Sequence, residues 1–423
     1  EANDRISITD EGQEAARKLD KSAYDQTVNG NPIAFTNKTK SWYVNAKLKF
    51  GKFTLGVQSW KQSQGSTTQY TDTYVAGSEN GFVWVPHLSC IYSRYDDQIS
   101  EKLFFSNATN YRIHNLTDDS KFVSLSNYAR GNLALADLVN DKAPYWTTLH
   151  AYESSKQLRS ESKLIWTPIK RFNLVSGLEV RNSSLQGGYL FSIYEHPQDS
   201  AMVSPVPGGN TFNVWDVGLY SQATYHLLDK LHLIMGARYD YNKIRTEGGF
   251  GSEISPRFVV VYMPGKFIFK AIYSRGIQNV SNWTKFSTAG NRLPNPGLGT
   301  EVIRNYELTA SYMPAKKFFA DACFYFSSID DVVGTKTLDA ATGLNQNVNI
   351  GKFEIYGIQA NLQYNSGTFS AWLNYTFTHP RQTYDESGEV DNRVGDIASH
   401  QINGGMDKGL LDDKLNINLR LNY

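Results

Sequence analysis

The chain has 423 residues, 42 basic against 41 acidic for a net charge of +1, and 13% aromatic residues led by 26 Tyr and 22 Phe. That balance gives no electrostatic case for nucleic acid as a partner. No apolar run approaches the ~20 residues of a membrane helix, yet a mean hydropathy of −0.44 suits a membrane barrel whose inner face is polar.

Residues 1–41 are polar and charged, and are expected to form a solvated loop with one helical turn over Glu14–Leu19, capped by Asp10 and Gln13. The opening Glu1-Ala2-Asn3-Asp4 has neither a basic start nor an apolar core. It reads as a mature terminus after signal-peptide removal or as an internal fragment. Cys90 and Cys323 are the only cysteines, too few for a disulfide framework, and are expected as small buried side chains.

From Trp42 onward the pattern becomes a series of hairpins. Alternation predicts the strand pairs Trp42–Phe50 with Phe53–Lys61, Phe82–Tyr95 with Leu103–Leu116, Ser154–Thr167 with Phe172–Gln186, and Val214–Leu227 with Leu231–Ile244. It continues with Ile254–Tyr262 and Phe267–Arg275, Val302–Met313 and Phe318–Val333, Phe353–Tyr364 and Phe369–His379, and Ile397–Lys408 and Leu415–Tyr423. Breaks within a pair are short and carry turn residues, as in Gly51-Lys52 and Pro264–Lys266. Breaks between pairs are long, as in Gln62–Gly81, Thr117–Glu153, Gly187–Asn213, Gly276–Glu301, Gly334–Lys352 and Pro380–Asp396. Alternating short and long connections predict an all-β, transmembrane antiparallel β-barrel in the outer membrane, with about 16 strands in this chain.

The pleat agrees. Tyr306, Leu308, Ala310 and Tyr312 alternate with Asn305, Glu307, Thr309 and Ser311. Asp216, Arg238, Asp240, Lys270, Glu307 and Arg420 are then expected to face a lumen, where water solvates charges that a closed core excludes. Tyr273, Tyr312, Tyr364 and Tyr375 near strand ends, with Trp on many strands, predict aromatic belts. With long loops outside, residues 1–41 form an extracellular loop segment and the last strand also ends outside. Residues 42–423 are therefore expected to be a partial barrel that further strands complete.

Ser255-Pro256-Arg257, Tyr273-Ser274-Arg275-Gly276, Asn295-Pro296-Gly297-Leu298 followed by Glu301, Asn305-Tyr306-Glu307-Leu308, and Tyr356-Gly357-Ile358-Gln359-Ala360 occur in that order. Together they resemble the barrel of TonB-dependent outer-membrane receptors, and His400-Gln401-Ile402-Asn403 fits a later strand. The resemblance covers roughly 214–423. It implies a barrel of about 22 strands, filled by an N-terminal plug that is not in this sequence. It also implies binding of a scarce nutrient outside and import with energy passed on by TonB. Gly299-Thr300 stands where the family usually has Lys-Pro, and Ile277–Val280 lacks the usual Phe-Arg-Ala-Pro.

No zinc spacing, HExxH, CxxC or Gly-x-Ser-x-Gly is present, so neither an enzyme nor a metal or cofactor site is expected. The acidic run Asp385–Asp391 reads as a solvated loop. Candidate ligand contacts lie in the long loops: Tyr189, Phe191 and Tyr194 in one, and Trp283, Phe286 and Arg292 in another. Aromatics mixed with polar groups suit stacking and hydrogen bonding to a ligand, and equally suit loops packing on one another. The expected partners are outer-membrane lipid, the TonB complex reached through a plug, and a small nutrient such as a siderophore, cobalamin, glycan or peptide. A passive porin-like channel filtered by Arg238, Asp240 and Lys270 is the alternative. A barrel lipase or protease is a more distant one, needing a Ser–His constellation.

Overall fold

A computed structural model describes residues 27–28, 31–32, 39–64, 83–125, 146–186, 209, 211–288, 291–412 and 414–423. The helical turn expected at Glu14–Leu19 lies outside these residues. The elements in order are β1 (Thr27–Val28), β2 (Asn31–Pro32), β3 (Thr39–Phe50), β4 (Phe53–Gln64), β5 (Pro86–Ser100), β6 (Leu103–Leu116), β7 (Lys121–Leu125) and β8 (Trp146–His150). Next come β9 (Glu153–Ile169), β10 (Phe172–Gln186), β11 (Thr211–Leu228), β12 (Leu231–Lys243), β13 (Gly251–Tyr262), β14 (Phe267–Gln278), the short helix α1 (Asn282–Phe286) and β15 (Arg292–Leu293). The chain ends with β16 (Glu301–Ala315), β17 (Phe318–Asp339), β18 (Leu344–Asn365), β19 (Phe369–Asp385), β20 (Gly388–Arg393), β21 (His400–Leu410) and β22 (Leu415–Asn422). Each strand expected from alternation has a counterpart, and the fold is of the antiparallel β-barrel class. Among the described residues no helix is long and apolar enough to cross a membrane.

The chain divides into two compact units. The first comprises Glu1–Arg94, Ala108–Arg159 and Asn182–Asn213. Here β3 and β4 pair from Thr39↔Gln64 to Phe50↔Phe53, through a turn in which Gly51 takes φ +59°, a left-handed angle that side chains disfavour. The strand expected at Phe82–Tyr95 starts at Pro86 instead. The Val85 N–H is taken by Ser120 Oγ at 3.0 Å, and Trp84 forms an isolated bridge to Gln64. The loop expected at Thr117–Glu153 contains the small hairpin β7–β8.

The second unit comprises Tyr95–Asn107, Ser160–Arg181 and Val214–Tyr423. It holds a continuous antiparallel ladder in the order β11, β12, β13, β14, β16, β17, β18, β19, β21, β22. Its faces are inverted relative to a water-soluble sheet. On β16 the apolar residues are the exposed ones, with Tyr306 at 46% and Leu308 at 61%, while Asn305, Glu307 and Thr309 are half-buried and Ser311 buried. Leu219, Met235, Phe258, Phe324, Ile358, Leu373 and Leu419 continue the exposed apolar face. Lipid rewards that arrangement and water penalises it.

Two rows of aromatics border the band. Phe258, Tyr273, Tyr306, Phe326 and Tyr356 stand opposite one another on successive strands, the Tyr273 and Tyr306 ring centroids 5.1 Å apart. Toward the short turns, Phe267 stacks on Tyr312 at 4.6 Å and Phe318 pairs with Tyr364. The run from Phe318 to Phe326 spans about 27 Å at the usual strand rise. With the usual tilt of about 40° it covers ~21 Å of height, most of the apolar band of about 25 Å of such walls. Trp372 belongs to the polar face instead, its indole lying over Gly405.

The loops expected at Gly334–Lys352 and Pro380–Asp396 are largely strand. β17 and β18 continue as a ribbon to a turn at 340–343, bent by a register shift between Ile329 and Val332, where Asp331 takes φ +59°. β19 runs on to Asp385 and pairs with β20. Polarity misled the sequence reading here. Main-chain pairing satisfies the backbone of a ribbon whatever its side chains, and polar residues suit one that stands in water. The acidic run is the turn of the second ribbon, where the Asp385 carboxylate accepts from the Ser387 N–H at 2.8 Å. The Ser387 hydroxyl holds the Asp385 pKa below the usual carboxylate value. Cys90 is buried, Cys323 half-buried, and both are free thiols.

Candidate functional site

The stretch from Asn279 to Thr300 folds over one end of the ladder. Ser281 caps α1, its Oγ accepting from the Thr284 N–H at 3.1 Å. One side of α1 is fixed inward. Phe286 is 5% exposed and its ring sits where a side chain at Gly248 would stand, with the Arg245 guanidinium 5.0 Å from its centroid. Lys285 is fully buried and donates to the Gly248 carbonyl at 3.0 Å; burial pushes its pKa down. Trp283 projects the other way, 47% exposed.

Side-chain amides of β18 lace this stretch to the ribbon. Asn347 is 5% exposed; its amide donates to the Thr284 carbonyl at 2.9 Å, and its own main-chain carbonyl accepts from Asn295 Nδ2 at 2.8 Å. Gln346 Nε2 donates to the Pro294 carbonyl at 3.1 Å. Asn349 Oδ1 accepts the Gly299 N–H at 2.9 Å, and its Nδ2 donates to the Asp331 carbonyl at 2.7 Å. β15 runs parallel to β18, with Arg292 beside Asn345 and Leu293 beside Gln346. An amide side chain carries a donor and an acceptor, so each Asn serves as an extra peptide unit for a loop whose main chain pairs with β18 only at the short β15.

The laced loop borders an open cleft of about 580 Å³ lined by residues 278–281, Trp283, Thr284, Arg292, Glu301, Val333 and Asn347. Trp283 and Arg292 thus meet in one cavity, whereas Phe286 packs inward. Tyr189, Phe191 and Tyr194 lie outside the described residues. Glu301 is held by the main chain: its Oε1 accepts the Val333 N–H at 2.9 Å.

A second, polar cavity of about 230 Å³ lies on the polar face, lined by Glu179, Arg181, Asp216, Arg238, Asp240 and Asn279 among others. Asn279 lines both cavities. Arg181 pairs with Asp216 at 2.9 Å, and Arg238 with Asp240 at 2.8 Å and Glu179 at 3.4 Å. Lys270 and Glu307 share this face further along, opposite Thr309 and Tyr325. Arg420 pairs with Asp407 at 3.2 Å. Among the described residues no cluster of three or more His, Cys, Asp or Glu could hold a metal ion.

Several stretches that carried the family resemblance are fastenings. Leu298 is 2% exposed, and the Asn295 N–H donates to the Lys285 carbonyl at 2.8 Å. Arg275 bridges to Glu253 at 2.7 Å, and the Tyr325 ring lies over Gly357, leaving no room for a side chain there. The lacing amides were missed. Their signal was the period-two recurrence Asn345, Asn347, Asn349, which reads as a strand with one hydrogen-bonding face.

The family described as TonB dependent receptor-like, beta-barrel matches residues 94–423. Heme/hemopexin utilization protein C of Haemophilus influenzae (strain 86-028NP) is 23% identical over 322 residues, 66% of this chain and 45% of that protein. The FrpB iron transporter of Neisseria meningitidis, apoprotein form, superposes with a TM-score of 0.60 at 15% identity, covering 90% of this chain and 58% of that one. A point mutant of the ferric enterobactin receptor of Pseudomonas aeruginosa gives 0.65 at 13%, with coverages of 96% and 60%. At these identities the superpositions speak for the fold alone, and the chain spans less than half the length of the curated relative.

Proposed function

The chain belongs to the TonB-dependent receptor-like β-barrel family, and from that premise we propose that it is the wall of an outer-membrane receptor that binds a scarce nutrient and imports it with TonB-supplied energy. One observation carries the reading. The lipid-facing band ends at a laced loop whose cleft shares Asn279 with the charged cavity of the polar face. A ligand held by the loop therefore lies next to a solvated route along the wall. In this reading residues 1–41 are an extracellular loop segment, residues 42–423 supply the barrel, and TonB is reached through a plug outside this chain. Asp216, Arg238, Asp240, Lys270, Glu307 and Arg420 line the lumen, and Trp283 and Arg292 contact the ligand.

The role named for the curated relative, heme/hemopexin utilization, favours an iron-bearing ligand, with a porphyrin the first to test. A strain lacking the gene should fail to grow on hemin or a ferric siderophore as sole iron source. Complementation with the full-length gene should restore growth only when TonB is intact. Restored entry without TonB would replace this reading with that of a passive channel.

A further inference from the structure

We infer that the wall carries a binding site for an anionic phospholipid of the leaflet that meets its short turns. Lys266, Lys316 and Lys317 take the headgroup phosphate, and a trough on the lipid face takes an acyl chain. The inference uses the lipid-facing band described above and does not depend on what the receptor imports.

Four successive hairpins place a cation immediately before an apolar residue of the lipid face: Arg171 before Phe172, Lys230 before Leu231, Lys266 before Phe267 and Lys317 before Phe318. The main chain holds these cations in a row. Their carbonyls accept the N–H groups of His226, Met263, Met313 and Asn365 on the adjoining strand ends, at 2.8–2.9 Å. With Lys170 and Lys316 the four turns carry six basic residues against one acid, Asp229, which pairs with Arg171 at 3.0 Å. Lys230, Lys266, Lys316 and Lys317 are exposed, and among the described residues none of them enters an ion pair. At the other end of the same strands the cations are matched by acids, Arg275 by Glu253, Arg304 by Asp330 and Lys352 by Glu354. An unmatched row of cations beside an aromatic row stands at headgroup level, where it attracts anionic lipid.

The second feature is independent. A trough of about 530 Å³ opens on the lipid face of these hairpins, its lining almost wholly apolar and including Tyr262, Phe269, Ala310, Ala322 and Phe324. Its floor is low because Ala310 and Ala322 stand opposite one another on β16 and β17, while Tyr262 and Phe269 stand together on β13 and β14. A dent in a wall forfeits dispersion contacts unless a chain fills it. Phe269 is three residues from Lys266, about 10 Å along the strand, so one lipid can lay a chain in the trough with its phosphate among the turn lysines. The short turns of such barrels are the periplasmic ones, which makes the lipid one of the inner leaflet.

The test is native mass spectrometry of the full-length receptor in detergent, titrated with phosphatidylglycerol or with phosphatidylethanolamine of the same chains. The wild type should retain the anionic lipid at least about fivefold better. The triple variant Lys266→Gln/Lys316→Gln/Lys317→Gln should lose that preference, the corresponding triple change to Arg should keep it, and Lys336→Gln on the distant ribbon should leave it intact. Ala322→Trp fills the trough and should lower retention of both lipids. An unchanged heat-modifiable mobility shows that each variant is folded. Equal retention of the two lipids by the wild type overturns the inference, as does a full preference in the triple Gln variant or unchanged retention in Ala322→Trp. Stronger retention of lipid A than of phosphatidylglycerol, or displacement of the lipid by equimolar glycerol phosphate, would also overturn it. Uptake measurements remain a separate test of import.

Discussion

The apolar band and the laced loop are built from neighbouring parts of the same strands, yet they are held by opposite means. In the band, the main chain is paired with the adjacent strands and the side chains only have to match lipid. In the loop of residues 279–300 most main-chain groups have no strand beside them, and amides from Asn347, Asn349 and Asn295 replace one. The band should therefore be sensitive to polarity and tolerant of shape. The loop should be sensitive to the loss of single hydrogen bonds and should open locally without disturbing the wall.

The largest effect is expected in the band. Leu308→Arg places a charge on the lipid face and should cost about 2–4 kcal/mol of folding stability in vesicles, read by denaturant titration of a heat-modifiable barrel. Glu307→Gln, one residue along but on the polar face, should change it by less than about 0.5 kcal/mol. Equal effects would erase the distinction between the faces.

Next comes the lacing. Asn347→Leu leaves the Thr284 carbonyl without its donor and should cost about 2 kcal/mol. The loss should appear as faster hydrogen exchange over Trp283–Phe286 while the global unfolding midpoint stays put. A fall in that midpoint would mean that loop and wall unfold together.

Lys285→Met should act the other way. Because burial lowers the folded-state pKa of Lys285, its charged form costs stability at neutral pH, and that cost fades as pH rises from the folded pKa toward the ordinary lysine value. The variant should give the loop a flatter exchange-protection profile between pH 7 and 10 than the wild type, read by hydrogen exchange. The smallest effect is at the turn joining β21 and β22, where Leu411 takes φ +53°. Leu411→Gly should stabilise by about 0.5 kcal/mol, measured by denaturant titration.

Period-two alternation was enough to place the strands, because the two faces meet different solvents and each residue's polarity records which one it meets. The polar face and its charges followed from the same parity, as at Arg238 and Asp240. The sequence alone also determined the family, through short stretches such as Asn295–Leu298 and Tyr356–Ala360. Tertiary structure decided what polarity leaves open. A run such as Asn345–Asn349 looks the same whether water or a loop satisfies its amides. Only the register of β15 on β18 and the fold of α1 show that these amides hold a loop. Likewise, Trp283, Phe286 and Arg292 are equivalent as aromatic or basic loop residues until Gly248 claims Phe286 and leaves the other two facing a cleft. Strand identity rests on local periodicity, whereas the site depends on contacts between residues some fifty apart, such as Asn295 and Asn347, and the chain folds to make them.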